Sequence, residues 1–376
     1  MKTVSVKSLW FYPLVFGILG ALIGLILRYA FTGAFTGFPF KNVLHSHSHV
    51  MLLGFVFNAL MVLLWIHFTN GIDRVSFLYY IALQVCLAVM LVAFIIQGYA
   101  AVSITFSTLH LWVSYILLIR LWKRLKGNKN LIALIKLGII FHFISSIGPY
   151  LLGPLMVLDM KDSPWYQQAI FFYLHFQYFG SFFVWLLALL FQKYSITIKK
   201  NQIIYSAIAI ALLYTHSLDY SFNHWLINSL GGIGAVLLFA ILFSVKKQFK
   251  NQENHLKGIY FIVLLIVIIN IIGSFPVFAT LVEDNRFILI AYLHFLFLGL
   301  YLPFIWTFLP QKITIKMWVC YGFVVLFSEA ILIFPSEVSH LFSTSVMWLL
   351  FIVYLAVFLC ISIVHLKSLL NPTTTK

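Results

Sequence analysis

Residues 49–69 read HVMLLGFVFNALMVLLWIHFT, an apolar run without a single Asp, Glu, Lys or Arg. Roughly 20 such residues are what an α-helix needs to cross the hydrocarbon core of a bilayer. Outward from this run, comparable stretches recur near 10–30, 76–98, 101–122, 131–153, 168–192, 202–219, 225–245, 257–281, 287–309, 314–334 and 343–366. The composition agrees, with 63% hydrophobic, 18% aromatic and 9% charged residues, where soluble domains carry about 25% charged. The expected fold is an all-α polytopic membrane bundle of about twelve transmembrane helices. Short connections leave no space for a soluble domain, and no convincing repeat or low-complexity tract divides the chain, so residues 1–376 are read as a single membrane domain.

The net charge of +15 is explained by where the charges lie. With the N-terminus in the cytoplasm, only Arg28, Lys41, Lys161 and Arg286 of the 24 Lys and Arg face outward; the other 20 lie on the cytoplasmic side, chiefly at Arg120 to Lys129, Lys193 to Lys200 and Lys246 to Lys257. This is the positive-inside pattern, and it places both termini in the cytoplasm of a multi-pass plasma-membrane protein. Membrane lipid is therefore the expected partner and nucleic acid is excluded. Cys86, Cys320 and Cys360 fall in separate spans, with no C-x-x-C or C-x-x-C-H pattern for zinc, redox dithiol or attached haem. The first span lacks a small-residue cleavage site and reads as a retained helix.

Histidine carries the chemical information. In this orientation ten of the 13 histidines lie in the outer half: His45, His47, His49, His110, His142, His175, His216, His224, His294 and His340. Imidazoles at one depth in a bilayer suggest a shared site. Carboxylates are scarce, Glu329 being the one set well inside a span. Donors rich in imidazole and poor in carboxylate suit haem iron or copper. In Asn42 to Gly54, at the start of span 2, the helical period puts His45 and His49 on one face and His47 on another. One metal cannot take all three, so His47 or His49 is read as a haem ligand and His45 as a metal-ligand candidate; a polar interfacial collar is the alternative. In span 6, His175 has Tyr178 at i+3, placing a phenol beside a metal-ligating imidazole for proton or electron supply. Span 10 brings His294 to similar depth. For His175 and His294 taken singly, a helix-to-helix hydrogen bond is the competing role.

Twelve spans with outer-half histidines at spans 2, 6 and 10 and near the span 7–8 turn resemble subunit I of the haem-copper oxidase superfamily, which includes nitric oxide reductases. The resemblance covers the whole chain in topology. It implies a low-spin haem on the span-2 histidine, where His49-Val50-Met51-Leu52-Leu53-Gly54 is similar, and a high-spin haem on His294, b-type in kind, with copper on His175, His216 and His224, and His175 and Tyr178 as catalytic residues. The implied activity is reduction of oxygen or nitric oxide, with electrons from a quinol or a separate donor subunit because no c-type haem motif is present. Leu296 stands where the family has a second span-10 histidine, His216 and His224 are eight residues apart where the family has a pair, and the family's H-P-E-V-Y becomes His175-Phe176-Gln177-Tyr178-Phe179. With Glu329 the one intramembrane carboxylate, strong proton pumping is not expected. The His45 segment is also similar to the non-catalytic NnrS-like haem and copper proteins of nitric oxide stress. Gly71-Ile72-Asp73-Arg74 faintly echoes a loop of secondary transporters.

Overall fold

The computed structural model describes residues 6–35, 37–218, 225–342 and 345–370. Eleven helices in it are long and apolar enough to cross a membrane: α1 (Ser8–Ala30), α2 (Phe40–Phe68), α3 (Arg74–Gln97), α4 (Ala101–Arg124), α5 (Lys129–Val157), α6 (Pro164–Lys193), α8 (Trp225–Ser244), α9 (Asn254–Ile272), α10 (Arg286–Trp306), α11 (Ile315–Ile333) and α12 (Val346–Leu370). The remaining expected crossing, near 202–219, is the 14-residue helix α7 (Lys200–Leu213), which tightens into a 3₁₀ turn at Tyr214–Ser217. There the Thr215 hydroxyl donates to the Leu212 carbonyl at 2.9 Å, the local competition by which Thr and Ser interrupt a helix. No strand occurs among the described residues, so the chain is an all-α, multi-pass bundle.

Two compact units are distinguishable, residues 1–121 with 287–376, and residues 122–286. In the first, α1 packs along α12 and α2, and α11 packs on α12. Helix α2 is the enclosed one: 83% of its spanning window is buried, against 28% for α4. Its Asn58 exchanges amide hydrogen bonds with Gln84 of α3 at 2.8 and 3.2 Å, so two amides that would be costly in hydrocarbon satisfy each other. Asp73 caps α3, accepting from the Val75 and Ser76 amides, and pairs with Arg120 of α4 at 2.9 Å. The Gly71 to Arg74 loop is thus a helix cap held by an ion pair.

In the second unit the enclosed helix is α6, with 89% of its window buried. It lies close on α5: a Cβ at Gly180 would stand 2.8 Å from Phe141 Cβ, so a larger residue there would push the helices apart. Ser181 donates to the Gly138 carbonyl at 2.9 Å and Trp185 to that of Ile135 at 3.2 Å. Helices α7, α8 and α9 pack in sequence beside them.

Helices α2, α6 and α10 share a feature that periodicity does not announce. Each contains a π-helical stretch, Val50–Phe57, Phe176–Phe182 and Phe295–Tyr301, beginning immediately after His49, His175 and His294. Each has a glycine five residues after its histidine, Gly54, Gly180 and Gly299. The segments Tyr173 to Gly180 and Tyr292 to Gly299 share five of eight residues, Tyr-Leu-His-Phe and the final Gly. The chain therefore carries a short module twice, at these two histidines. Carbonyls inside the wide turns take side-chain donors: Asn58 Nδ2 reaches Gly54 at 2.9 Å and Tyr321 Oη reaches Leu298 at 2.7 Å. Such partners let irregular backbone persist where no water is available. π turns of this kind concentrate at functional sites.

The expected orientation is open to a direct measurement. In intact cells, cysteines introduced beside Lys161, Asp284 and Glu337 should react with an impermeant thiol reagent, and those beside Lys126, Lys200 and Lys247 should not. Labelling at Lys126 would invert the topology.

Candidate functional site

The first unit gathers polar groups from five helices. Arg28 near the end of α1, His47 of α2, His294 of α10, Glu329 of α11 and Tyr354 of α12 converge, with Arg28, Glu329 and Tyr354 buried. The close approach is possible because α1 presents glycine here: a Cβ at Gly24 would stand 2.6 Å from Tyr354 Oη and 2.9 Å from His47 Cε1. His47 Nδ1 donates to the Gly20 carbonyl at 2.9 Å, which leaves the lone pair on Nε2. Arg28 Nη2 lies 3.3 Å from His294 Nδ1 and its guanidinium sits 5.9 Å over the Tyr354 ring. Glu329 Oε2 stands 3.5 Å from the same Nδ1. That is ion-pair distance without hydrogen-bond geometry, so both carboxylate oxygens are buried with no hydrogen bond. His47 is within electrostatic reach of His294 and Arg28.

His45 and His49 face the other way, as the helical period requires. His49 stacks on Phe94 of α3 at 4.3 Å, its Nδ1 bonded to the His45 carbonyl at 2.9 Å. His45 meets Tyr99 edge-on at 4.6 Å, and its Nε2 is buried without a hydrogen bond. The structure therefore sets His47, rather than His49, with His294. His365, near the end of α12, is fully engaged, donating to Leu14 and accepting from Trp306 at 3.1 and 3.2 Å; it ties helices together.

In the second unit His175 is held at both nitrogens. Nε2 donates to the Ile210 carbonyl at 2.9 Å and Nδ1 accepts from Ser217 at 3.2 Å. Its ring stacks on Phe179 and contacts Tyr214, centroids 5.7 and 5.5 Å away. A phenol beside it is that of Tyr214, bonded to Gln168, and the helix that carries Tyr178 opens into a π turn from Phe176. His216 is within electrostatic reach of His175, and its Nε2 lies 3.3 Å from the Asn228 carbonyl and 3.2 Å from Ser274 Oγ. His224 lies outside the described residues. Gln177 donates to His142 and Ser145 at 3.0 and 2.9 Å.

No known protein family matches the chain, and no curated protein does. Function therefore rests on the geometry. Among the described residues, no group of three or more His, Cys, Asp or Glu is placed to hold a metal ion. A two-histidine site is a different matter, because haem iron takes four of its ligands from the porphyrin and needs only axial donors from protein. The candidates for such a pair are His47 and His294, imidazoles from different helices, His47 donating through Nδ1 to the Gly20 carbonyl and His294 Nδ1 lying 3.3 Å from Arg28 Nη2 and 3.5 Å from Glu329. Sequence reading placed Arg28 and Glu329 singly but missed Gly24, Tyr354 and Tyr214. The repeated Tyr-Leu-His-Phe was the available signal for the modules.

Proposed function

We propose that this chain is a haem-binding redox protein of the plasma membrane, similar to subunit I of the haem-copper oxidase superfamily, with His47 and His294 as axial ligands of a b-type haem. The observation that carries this reading is the nearness of two imidazoles from different helices, with His47 held through Nδ1 by the Gly20 carbonyl, the way proteins orient haem and metal ligands. When bound, haem would supply one-electron transfer. The protein's part is to orient the two rings and to exclude water with the aromatic and aliphatic core of α2 and α12. Electrons would come from a quinol or another subunit. The test is an oxidised and dithionite-reduced spectrum of the detergent-solubilised protein with metal analysis. Colourless protein without iron from haem-replete cells sinks the proposal.

Copper at His175, with reduction of oxygen or nitric oxide, is the second reading, favoured by the nearness of His216. It requires His175 to give up Ile210 or Ser217. As a helix-to-helix bolt, His175→Ala should lower stability by roughly 1–3 kcal/mol through the buried carbonyl it strands and leave haem content unchanged. Loss of copper and of gas consumption in this variant would establish the reductase instead.

A further inference from the structure

Two of the three cysteines meet. Cys320 lies about one and a half turns into α11 and Cys360 lies on α12, helices that pack along each other within one unit, and the two thiols stand within hydrogen-bonding reach. Neither is in a disulfide. Cys360 is buried, whereas Cys320 is exposed on a shallow apolar groove lined by Ile315, Lys316, Val319 and Phe323. A lysine at the end of a span marks headgroup level, so the Cys320 sulfur faces lipid about one turn deeper than Lys316.

What a close thiol pair does is decided by its surroundings. Holding a soft metal ion asks for both sulfurs as thiolates, which puts two negative charges into hydrocarbon. A disulfide is neutral. Its formation removes both S–H groups and leaves an apolar crosslink, so the bilayer favours a bridge over a metal. The oxidant has to be soluble in lipid, because the groove opens below the headgroups, and a quinone meets that need. We infer that Cys320 and Cys360 are a redox couple, bridged to a disulfide by a membrane quinone that reaches them through the groove on α11. Two S–H bonds break and one S–S bond forms, while the two protons and two electrons turn the quinone's carbonyls into the hydroxyls of a quinol. Quinones drive disulfide formation in this direction in other membrane systems. The inference goes beyond the haem reading and needs no iron. Its effect on the first unit is mechanical. Tyr321, next to Cys320, already ties α11 to the Leu298 carbonyl of α10 at 2.7 Å; the bridge adds α12, so an oxidised quinone pool would lock together the helices that carry His294, Glu329 and Tyr354.

The experiment reduces the full-length protein, reconstitutes it into liposomes without oxygen, adds decylubiquinone and counts the remaining thiols with a maleimide under denaturing conditions. Wild type, with its 3 cysteines, should keep a single reactive thiol, form one quinol per chain and stay monomeric on a gel without reductant. Cys86→Ser should lose every thiol. Cys320→Ser and Cys360→Ser should lose none and form no quinol. Oxidised wild type should also melt at a higher temperature than the reduced protein, since a crosslink restricts the unfolded chain, and this difference should vanish in Cys360→Ser. Wild type that keeps all its thiols after quinone overturns the inference, whether or not a copper-phenanthroline catalyst forces the bridge. A dimer crosslinked through Cys320 overturns it as well, and so does copper or zinc that shields both thiols from maleimide in the native protein. Each of these results leaves hemin uptake untouched, so failure here is distinct from failure of the haem reading.

Discussion

Replacing either His47 or His294 with alanine should empty the haem site. An axial ligand holds iron directly, so the loss should exceed the roughly 10–100-fold that outer hydrogen-bond partners cost. The informative contrast is His49→Ala. His49 stacks on Phe94 on the face of α2 away from Gly20, so its removal should leave the Soret band in place. An intact spectrum in His47→Ala together with loss in His49→Ala would move the ligand two residues along α2 and break the pairing with His294 on which the proposal depends.

The second large effect comes from a residue with no chemistry of its own. Gly24→Val places branched carbons where the first one already stands 2.6 Å from Tyr354 Oη and 2.9 Å from His47 Cε1. Neither neighbour yields easily: Tyr354 is buried, and the His47 ring is tethered to the carbonyl four residues before Gly24. Overpacking should cost about 1–3 kcal/mol or more and displace His47, so thermal stability and haem should be lost together. Gly153→Ala is the control, because nothing lies within 4 Å of the added carbon. A Gly24→Val protein with wild-type melting temperature and haem content would mean that α1 does not form one wall of the site.

Most of the fold was legible because the code for crossing a bilayer is run length and charge, and both are local. Helix α7 was legible as an apolar run but not as a full crossing, since Thr215, His216 and Ser217 break it from within. The opposed faces of His45 and His49 against His47 were also legible, being fixed by the helical period alone. The site was less so. Helices apolar on every side do not declare which face meets which neighbour, so nothing in α1, α11 or α12 announced that Arg28, Glu329 and Tyr354 would converge. Tyr178 was set beside His175 by i+3 arithmetic, which assumes an unbroken α-helix, and the wide turn starts at the very next residue after His175. The match between Tyr173 to Gly180 and Tyr292 to Gly299 could be read from the chain directly, but a scan by hydropathy passes over it.

The wide turn in α10 leaves that helix out of phase with itself. An α-helix advances about 100° per residue, and a turn that takes in one residue more resets the angle of everything after it. The half ending at His294 presents its imidazole to Arg28 and Glu329; the half that follows presents Trp306 to His365. In a continuous helix, rotating one half to improve its fit would swing the other out of place. Here each half keeps its own azimuth, so the His294 end and the Trp306 end of a single transmembrane rod can be adjusted separately.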